Sequence, residues 1–304
     1  MTLDQLVTFR TVCAVKSFRR AAETLHITQP AVSKQIRALE EELGERLLER
    51  GRVPIVTEAG GTLLKYAEHL SELVKNARNA IFDLKQLKRG HLTIGASFTL
   101  ATSLLPDLVE KFRLKCPQVT LSVETGWSPD ILRRVASRDL DFGLAVLVSA
   151  QANDAQLTCT AFDTAQTVFI TSAKEPLARK SVLSFEEFAK LPLIVNHEGC
   201  LYRRYLAGRF AEKGLPMNIA VEVLSFELEK KLTQLGLGVS LLSKALVSQE
   251  LKERSLKTFK VKGLELRSYS CVVYRRDKYV HGAMRGFFEV LQSEFPKANI
   301  DTGA

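Results

Sequence analysis

Residues 17–39 read Ser17-Phe18-Arg19-Arg20-Ala21-Ala22-Glu23-Thr24-Leu25-His26-Ile27-Thr28-Gln29-Pro30-Ala31-Val32-Ser33-Lys34-Gln35-Ile36-Arg37-Ala38-Leu39, and this stretch decides the N-terminal fold. Ser17 is a good N-cap, and the helix it starts runs through Phe18, Ala21, Ala22 and Leu25. Thr28 caps a second helix, with Pro30 near the first helical position, where its missing N–H costs little. That helix buries Val32, Ile36, Leu39 and Leu43 at helical spacing. The small pair Ala21-Ala22 lets the two helices approach closely, as a helix-turn-helix requires. Gln29, Ser33, Lys34 and Arg37 remain on the outer face, and no acidic residue interrupts them until Glu40. These are donors and acceptors for base edges and phosphates, so the N-terminal end of this helix is the reading end.

Working outward, a preceding helix over 3–15 sets Leu3, Leu6, Phe9, Val12 and Cys13 on one face. A solvated helix in a plain bundle would show the same spacing. Arg50-Gly51-Arg52 followed by Val53–Val56 tips the balance, because it reads as a compact basic hairpin laid along a DNA backbone or minor groove. Thr57 then caps a long helix predicted to run from Glu58 to Lys88, ~45 Å at ~1.5 Å per residue. Leu63, Ala67, Leu70, Val74, Ala77, Ile81 and Leu84 recur along it as unbroken heptads. A seam that long exceeds what the small preceding domain can cover, so a dimer through this stripe is expected.

From His91 onward β-branched runs alternate with amphipathic stretches, which reads as βα units around a mostly parallel sheet. The expected fold is α plus α/β: a winged helix-turn-helix over 1–57, a linker helix over 58–89 and a two-lobed α/β domain over 90–304. Lobe I takes 91–162 and 268–304, and lobe II takes 163–267. Small molecules bind such domains where strands end and helices begin. Ser97-Phe98-Thr99-Leu100-Ala101-Thr102 lies at one such junction, with hydroxyls suited to a small oxyanion. Asn196-His197-Glu198-Gly199-Cys200 lies at another and Phe226 at a third, while Val146 ends a strand facing the same gap. Each alone reads first as ordinary capping or core; as a group they mark the effector cleft.

Composition excludes several classes. A chain that is 46% hydrophobic and 25% charged has the balance of a globular protein. Its longest apolar run, Phe142 to Val148, is far short of the ~20 residues that span a bilayer. Asp4 and Gln5 stand where an export signal needs basic residues, so a cytoplasmic location is expected. The net charge of +9 is shared almost evenly between residues 1–90 and the rest, so bulk charge does not locate a nucleic-acid site. Five cysteines without paired spacing and the scattered His26, His69, His91, His197 and His281 imply no metal and no cofactor. Neither a glycine-rich phosphate loop nor a nucleophile elbow is present, which argues against an enzyme. The attached reader argues against a stand-alone solute-binding module.

The run Gln5-Leu6, Phe9, Ser17-Phe18, Ala21-Ala22, Leu25, Thr28-Gln29-Pro30-Ala31-Val32-Ser33, Ile36, Leu39-Glu40, Leu43-Gly44, Leu47, Arg50 and Thr57-Glu58-Ala59-Gly60 resembles the LysR-type transcriptional regulators. The heptad helix, total length and two-lobed remainder agree with that family along the whole chain. Leu48 departs from it, standing where the family usually has Phe. The resemblance implies a winged helix-turn-helix dimer, usually assembled as a tetramer, on an imperfect palindrome of double-stranded promoter DNA. RNA polymerase is a further candidate partner. It also implies an effector domain like the periplasmic solute-binding proteins. By resemblance, Thr28, Gln29, Pro30, Ser33 and Lys34 face DNA, Arg50 and Arg52 touch its backbone, and Ser97 and Thr99 touch the effector. The run His197-Glu198-Gly199-Cys200-Leu201 resembles the reactive-cysteine neighbourhood of the family's peroxide sensors. No resolving cysteine follows within 201–210, and the next is Cys271. A single-cysteine redox input at Cys200, aided by Arg203 and Arg204, is the alternative to a small anionic metabolite.

Overall fold

The computed structural model describes residues 1–49, 51, 53–84, 90–149 and 154–300. They form two compact units, Met1–Leu87 and Lys88–Ala304.

In the first unit α1 (Leu3–Val15) starts on a capping box, in which Thr2 and Gln5 satisfy each other's backbone N–H groups. Ser17 and Thr28 cap α2 (Phe18–Leu25) and α3 (Gln29–Leu43), each accepting a backbone N–H with its hydroxyl. Between them His26 adopts a left-handed conformation that ends α2. Phe9, Val12, Ala21, Val32, Ile36 and Leu39 form the shared core. Leu43, expected inside, is 42% exposed at the end of α3. Glu40 is turned inward: its carboxylate accepts the N–H groups of Leu47 (2.9 Å) and Leu48 (3.2 Å) and ties α3 to the hairpin. The hairpin itself pairs β1 (Leu48–Glu49) with β2 (Ile55–Val56).

Thr57 accepts the Gly60 N–H and so caps α4 (Glu58–Leu84), whose 27 residues extend about 40 Å. The expected seam is shared rather than continuous. Ala67 is fully buried in the unit's own core, and Leu63 and Leu64 pack against it. This departs from a stripe given wholly to a second copy: α1 lies against the first turns of α4 and covers them. Past that contact Leu70, Leu73 and Ile81 are 39%, 51% and 55% exposed, Ala77 is exposed and Val74 half-buried. The Leu84 side chain and residues 85–88 lie outside the described residues.

The second unit is built on a sheet that, among the described residues, has eight strands. Strand β3 (Gly90–Ser97) leads through α5 (Phe98–Ser103) and α6 (Leu105–Lys115) to β4 (Val119–Gly126), then α7 (Ser128–Ala136) and β5 (Phe142–Leu147). These three strands are parallel, in the order β4-β3-β5. Next comes β6 (Leu157–Ser172), then β7 (Val182–Leu183), α8 (Phe185–Ala189), β8 (Leu193–Asn196), α9 (Leu201–Glu212), β9 (Ile219–Val223) and α10 (Phe226–Gln234). The chain closes with β10 (Ser240–Ser243), α11 (Ser248–Lys252), β11 (Leu256–Val261), β12 (Arg267–Arg275) and α12 (Gly282–Glu294).

The sheet is mixed, which corrects the mostly parallel reading. Strand β12 is antiparallel to both β5 and β6, and β6 is antiparallel to β10 and β11. The 16-residue β6 runs through both lobes and exchanges partners midway: Gln166 pairs with Arg267, and Thr167 with Ser243. Alternation along β5 fixes lobe I. Phe142, Leu144 and Val146 meet Phe112 of α6 and Phe287 of α12, while Ala145 meets Ile131 and Val135 of α7. Lobe II is cored by Phe169, Phe188, Phe210 and Phe259, with Phe169 and Phe188 edge-on at 5.0 Å.

Candidate functional site

The first candidate surface is the outer face of α3. Its apolar spacing sinks Val32, Ile36 and Leu39, and this turns the remaining positions outward. Thr28, Gln29, Pro30, Lys34 and Arg37 are exposed and Ser33 is half-buried. Thr28 is committed to its cap on the Ala31 N–H, at 3.3 Å. Among the described residues the side chains of Gln29, Ser33, Lys34 and Arg37 make no intramolecular hydrogen bond or ion pair, leaving their donors and acceptors free. Glu42 at the far end pairs with the Met1 amine. Arg50 and Arg52 lie outside the described residues.

The second surface is the cleft between the lobes of the C-terminal unit, where four helices begin. Ser97, Trp127, Cys200 and Ser225 are the N-cap residues of α5, α7, α9 and α10. Only Ser225 caps its helix with a side chain, so first-turn N–H groups elsewhere keep hydrogen-bonding capacity. The Ser97 hydroxyl is buried there without a hydrogen-bond partner, and the buried Tyr202 hydroxyl faces the hydroxyls of Thr99 and Ser243. Val146 donates its N–H to the Ser128 hydroxyl at 3.2 Å.

Aromatic rings close the cleft. Trp127 of lobe I meets Phe98 edge-on at 4.8 Å, stacks on His197 at 6.0 Å and meets Phe226 edge-on at 6.1 Å. Gly199 makes this approach feasible: a Cβ there would stand 2.7 Å from the Trp127 ring. The remaining cavity, about 20 Å3, is lined by Ser97, Phe98, Thr99, Val146, Cys200 and Phe226 together with Trp127, Ser128, Gly199, Leu201 and Tyr202. That volume holds about one water.

The other expected cleft residues sit elsewhere. Thr102 is exposed, and its hydroxyl donates back to the Phe98 carbonyl. Glu198 is exposed and His197 reaches the cleft only through its ring stack. Asn196 is spent internally: its amide donates to Glu229 (2.9 Å) and its oxygen accepts the His197 N–H (3.1 Å). Sequence reasoning missed Trp127, Ser128 and Tyr202. The run Trp127-Ser128-Pro129 is a strand-to-helix junction of the same kind as the others and carries the single tryptophan, so the signal was present.

Cys200 is 2% exposed, and burial, aided by the Glu229 charge, pushes its thiol up to about 12. Arg204 opposes this only weakly, and Arg203 spends one guanidinium nitrogen on the Met217 sulfur. Such a thiol lacks the thiolate character of a reactive cysteine, so the geometry runs against a redox input at this position.

Behind Cys200 lies Glu229, itself 2% exposed. Burial raises its carboxyl to about 8, against the pull of hydrogen bonds from Asn196 and Ser240. Ser240 also donates to the Ile194 carbonyl at 3.0 Å. The stability consequence has a definite sign. Below pH 4.5 the carboxyl is neutral folded and unfolded, and no penalty arises. Between about 4.5 and about 8 only the unfolded chain ionises, so stability falls as pH rises, by about 1.4 kcal/mol per unit at most. Glu229→Gln keeps the shape and the acceptor for the Asn196 amide without the ionisation. It is expected to melt higher than the parent at pH 8, with the difference shrinking toward pH 4.5; equal melting curves at both pH values would disprove the neutral-acid assignment.

Residues 85–296 match the family model described as LysR substrate binding domain, and residues 3–61 match that of the bacterial regulatory helix-turn-helix proteins of the lysR family. A probable RuBisCO transcriptional regulator of Synechocystis sp. is 31% identical, the match covering 97% of this chain and 86% of that one. The RuBisCO operon transcriptional regulator of Allochromatium vinosum is 29% identical over 100% of this chain and 99% of its own. Among solved structures, a full-length OxyR variant from Pseudomonas aeruginosa superposes with a TM-score of 0.74 at 22% identity, covering 98% and 96% of the two chains. CbnR bound to its target DNA does so with a TM-score of 0.63 at 19% identity, covering 96% and 99%. At these identities the structural matches speak for the fold.

Proposed function

Because the chain belongs to the LysR family of helix-turn-helix transcriptional regulators, we propose that Gln29, Ser33, Lys34 and Arg37 read its operator and that the cleft behind Trp127 takes its effector. The protein is a DNA-binding transcriptional regulator with an effector-binding domain. Proteins of this family are regulators rather than enzymes. No helix among the described residues is long and apolar enough to cross a membrane.

The observation that carries the reading is the uncommitted polar face at the N-terminal end of α3, in a unit that also carries a short hairpin. Gln29 and Ser33 stand one helical turn apart and suit base edges, while Lys34 and Arg37 suit phosphates. Thr28 and Pro30 fix where that face begins. Arg50 and Arg52 complete the backbone contact by analogy with the family. A gel-shift series separates the roles. Gln29→Ala is expected to narrow the gap between operator and random duplex, by about tenfold for a lost base contact worth ~1–3 kcal/mol. Lys34→Ala and Arg37→Ala should instead weaken all duplexes alike and flatten the salt dependence by about one unit of slope each. Uniform weakening by Gln29→Ala would remove it from base readout.

On the sensing side, the ligand class favoured is a small oxygen-rich anion. Support comes from the first-turn N–H groups of α7 and the unpartnered, buried hydroxyl of Ser97. A cavity of about 20 Å3 admits no metabolite. A ligand must therefore part Trp127 from Phe226 and His197, and its preference for the opened lobes is the signal passed to the DNA-binding heads. A dimer through the exposed end of α4, paired into a tetramer, belongs to the same reading, as do contact with RNA polymerase and action in the cytoplasm. Activation is the direction supported by the relative named HTH-type transcriptional activator CmpR, 30% identical.

A further inference from the structure

No spacing in the sequence pairs the five cysteines, but the sheet brings two of them together. Cys13, Cys116 and Cys200 each belong to a separate hydrophobic cluster, whereas Cys159 and Cys271 share the one beneath α7 in lobe I. Strand register explains the meeting. In the antiparallel pair β6–β12, Cys271 stands opposite Ala161 and Val273 opposite Cys159, so the two thiols are diagonal neighbours on one face. Between the Ser270–Asp163 and Cys271–Ala161 pairs β6 carries one extra residue, Phe162, a bulge of the kind that re-aims the side chains beside it. The two thiols are in hydrogen-bond contact. Cys271 is fully buried, while Cys159 is partly exposed and can meet a reagent from solvent.

Cysteine often fills a core as a small hydrophobe, and that accounts for Cys116 and Cys271 taken singly. It does not account for the way this pair divides a proton. The Cys271 S–H donates to the Cys159 sulfur and holds the Cys159 thiol below its ordinary value, against the effect of burial. The same contact, together with burial, pushes the Cys271 thiol up. Cys13 and Cys200 behave differently from Cys159, since burial pushes both up to about 12. A sulfur that ionises readily beside one that keeps its proton is the arrangement of an attacking thiol and its resolving partner.

We propose that Cys159 and Cys271 form a redox-active dithiol, closed to an intramolecular disulfide by exchange with a low-molecular-weight disulfide. The Cys159 thiolate attacks one sulfur of the reagent: a mixed disulfide forms on Cys159, the reagent's own S–S bond breaks, and its other half leaves as a thiolate that takes up the proton Cys159 gave up. Cys271 then loses its proton and attacks the Cys159 sulfur, and the second half leaves as a thiol. Two protein thiols are oxidised and one reagent disulfide is reduced to two thiols. An S–S bond of ~2.05 Å is shorter than thiol-to-thiol contact, so closure draws β6 and β12 together beside the bulge. The same two strands cross between the lobes close by, where Gln166 pairs with Arg267, and the bond therefore bears on lobe movement. The site is separate from Cys200 and from the interlobe cleft.

The test incubates the folded full-length protein with hydroxyethyl disulfide, alkylates the remaining thiols and maps them by mass spectrometry. The expected product has lost about 2 Da, the two thiol hydrogens, carries a Cys159–Cys271 link, and keeps Cys13, Cys116 and Cys200 alkylated. Dithiothreitol should restore both thiols together. Cys271→Ala is expected to stop at a stable mixed disulfide on Cys159, and Cys159→Ala to leave Cys271 unmodified. The linkage map of the parent decides the matter even where a variant fails to fold. Five free thiols after incubation, a link between any other pair, a dimer joined through Cys159, or a link that forms only once the chain is unfolded in urea would each overturn the proposal. Modification of Cys271 ahead of Cys159 would do the same, because it reverses the assigned roles.

Discussion

Leu70→Asp together with Ile81→Asp is expected to leave the protein monomeric at micromolar concentration and to cut affinity for an inverted-repeat operator by about 100-fold or more. Both side chains stand on the part of α4 that its own unit does not cover, 39% and 55% exposed. A carboxylate buried against the apolar stripe of a second copy has no partner there, so the dimer loses its seam. The expected loss on DNA is large because each reading head would then bind alone, without the high effective concentration supplied by its tethered mate. Affinity for an isolated half-site should stay near the parent value, since α3 is untouched. Sedimentation and gel shifts on full and half operators read the two effects separately. A variant that remains dimeric would place the interface elsewhere on the chain.

Gly60→Ala is expected to destabilise the N-terminal unit by about 3 kcal/mol, the upper range for an overpacked core, whereas Gly61→Ala should stabilise it slightly. A Cβ at position 60 would stand 2.1 Å from the Leu47 carbonyl oxygen and 3.0 Å from Val56. Neither neighbour can yield: Leu47 is pinned by Glu40 through its N–H and is 1% exposed. The start of α4 must then lift away from the hairpin, carrying β2 with it. Position 61 has nothing within 4 Å of its Cβ, so there alanine gains the ~1 kcal/mol that glycine costs inside a helix. For a unit this small, 3 kcal/mol lowers the melting temperature by more than about 10 °C. Thermal unfolding of both variants checks the contrast; equal melting temperatures would mean that α4 does not pack against Leu47 as closely as stated.

The N-terminal unit was legible because its signals are local. Ser17, Thr28 and Thr57 cap the helices they were expected to cap, and the spacing of Val32, Ile36 and Leu39 alone fixes which side of α3 faces out. The burial of Ala67 was not legible, since a heptad stripe does not say where a neighbour's cover stops; here α1 decides it. In the C-terminal unit the strand-to-helix junctions were visible, but strand direction was not. The first half of β6 and all of β11 lack a strong apolar alternation, and it is the antiparallel pairing of β6 with β12 and with β11 that makes the sheet mixed. Asn196 shows the limit most plainly. A polar residue at the end of a buried strand looks like a ligand contact until Glu229, 33 positions away in sequence, is found holding its amide.

The central claim is that two copies of α3, held by α4, read one duplex. Selection of bound fragments from a randomised duplex pool by the full-length protein tests it most directly. The account predicts enrichment of an inverted repeat, whose two arms lose their preference together when Gln29 is replaced by alanine. A bound pool with no enriched sequence, or one enriched in a single arm without its mate, would contradict it.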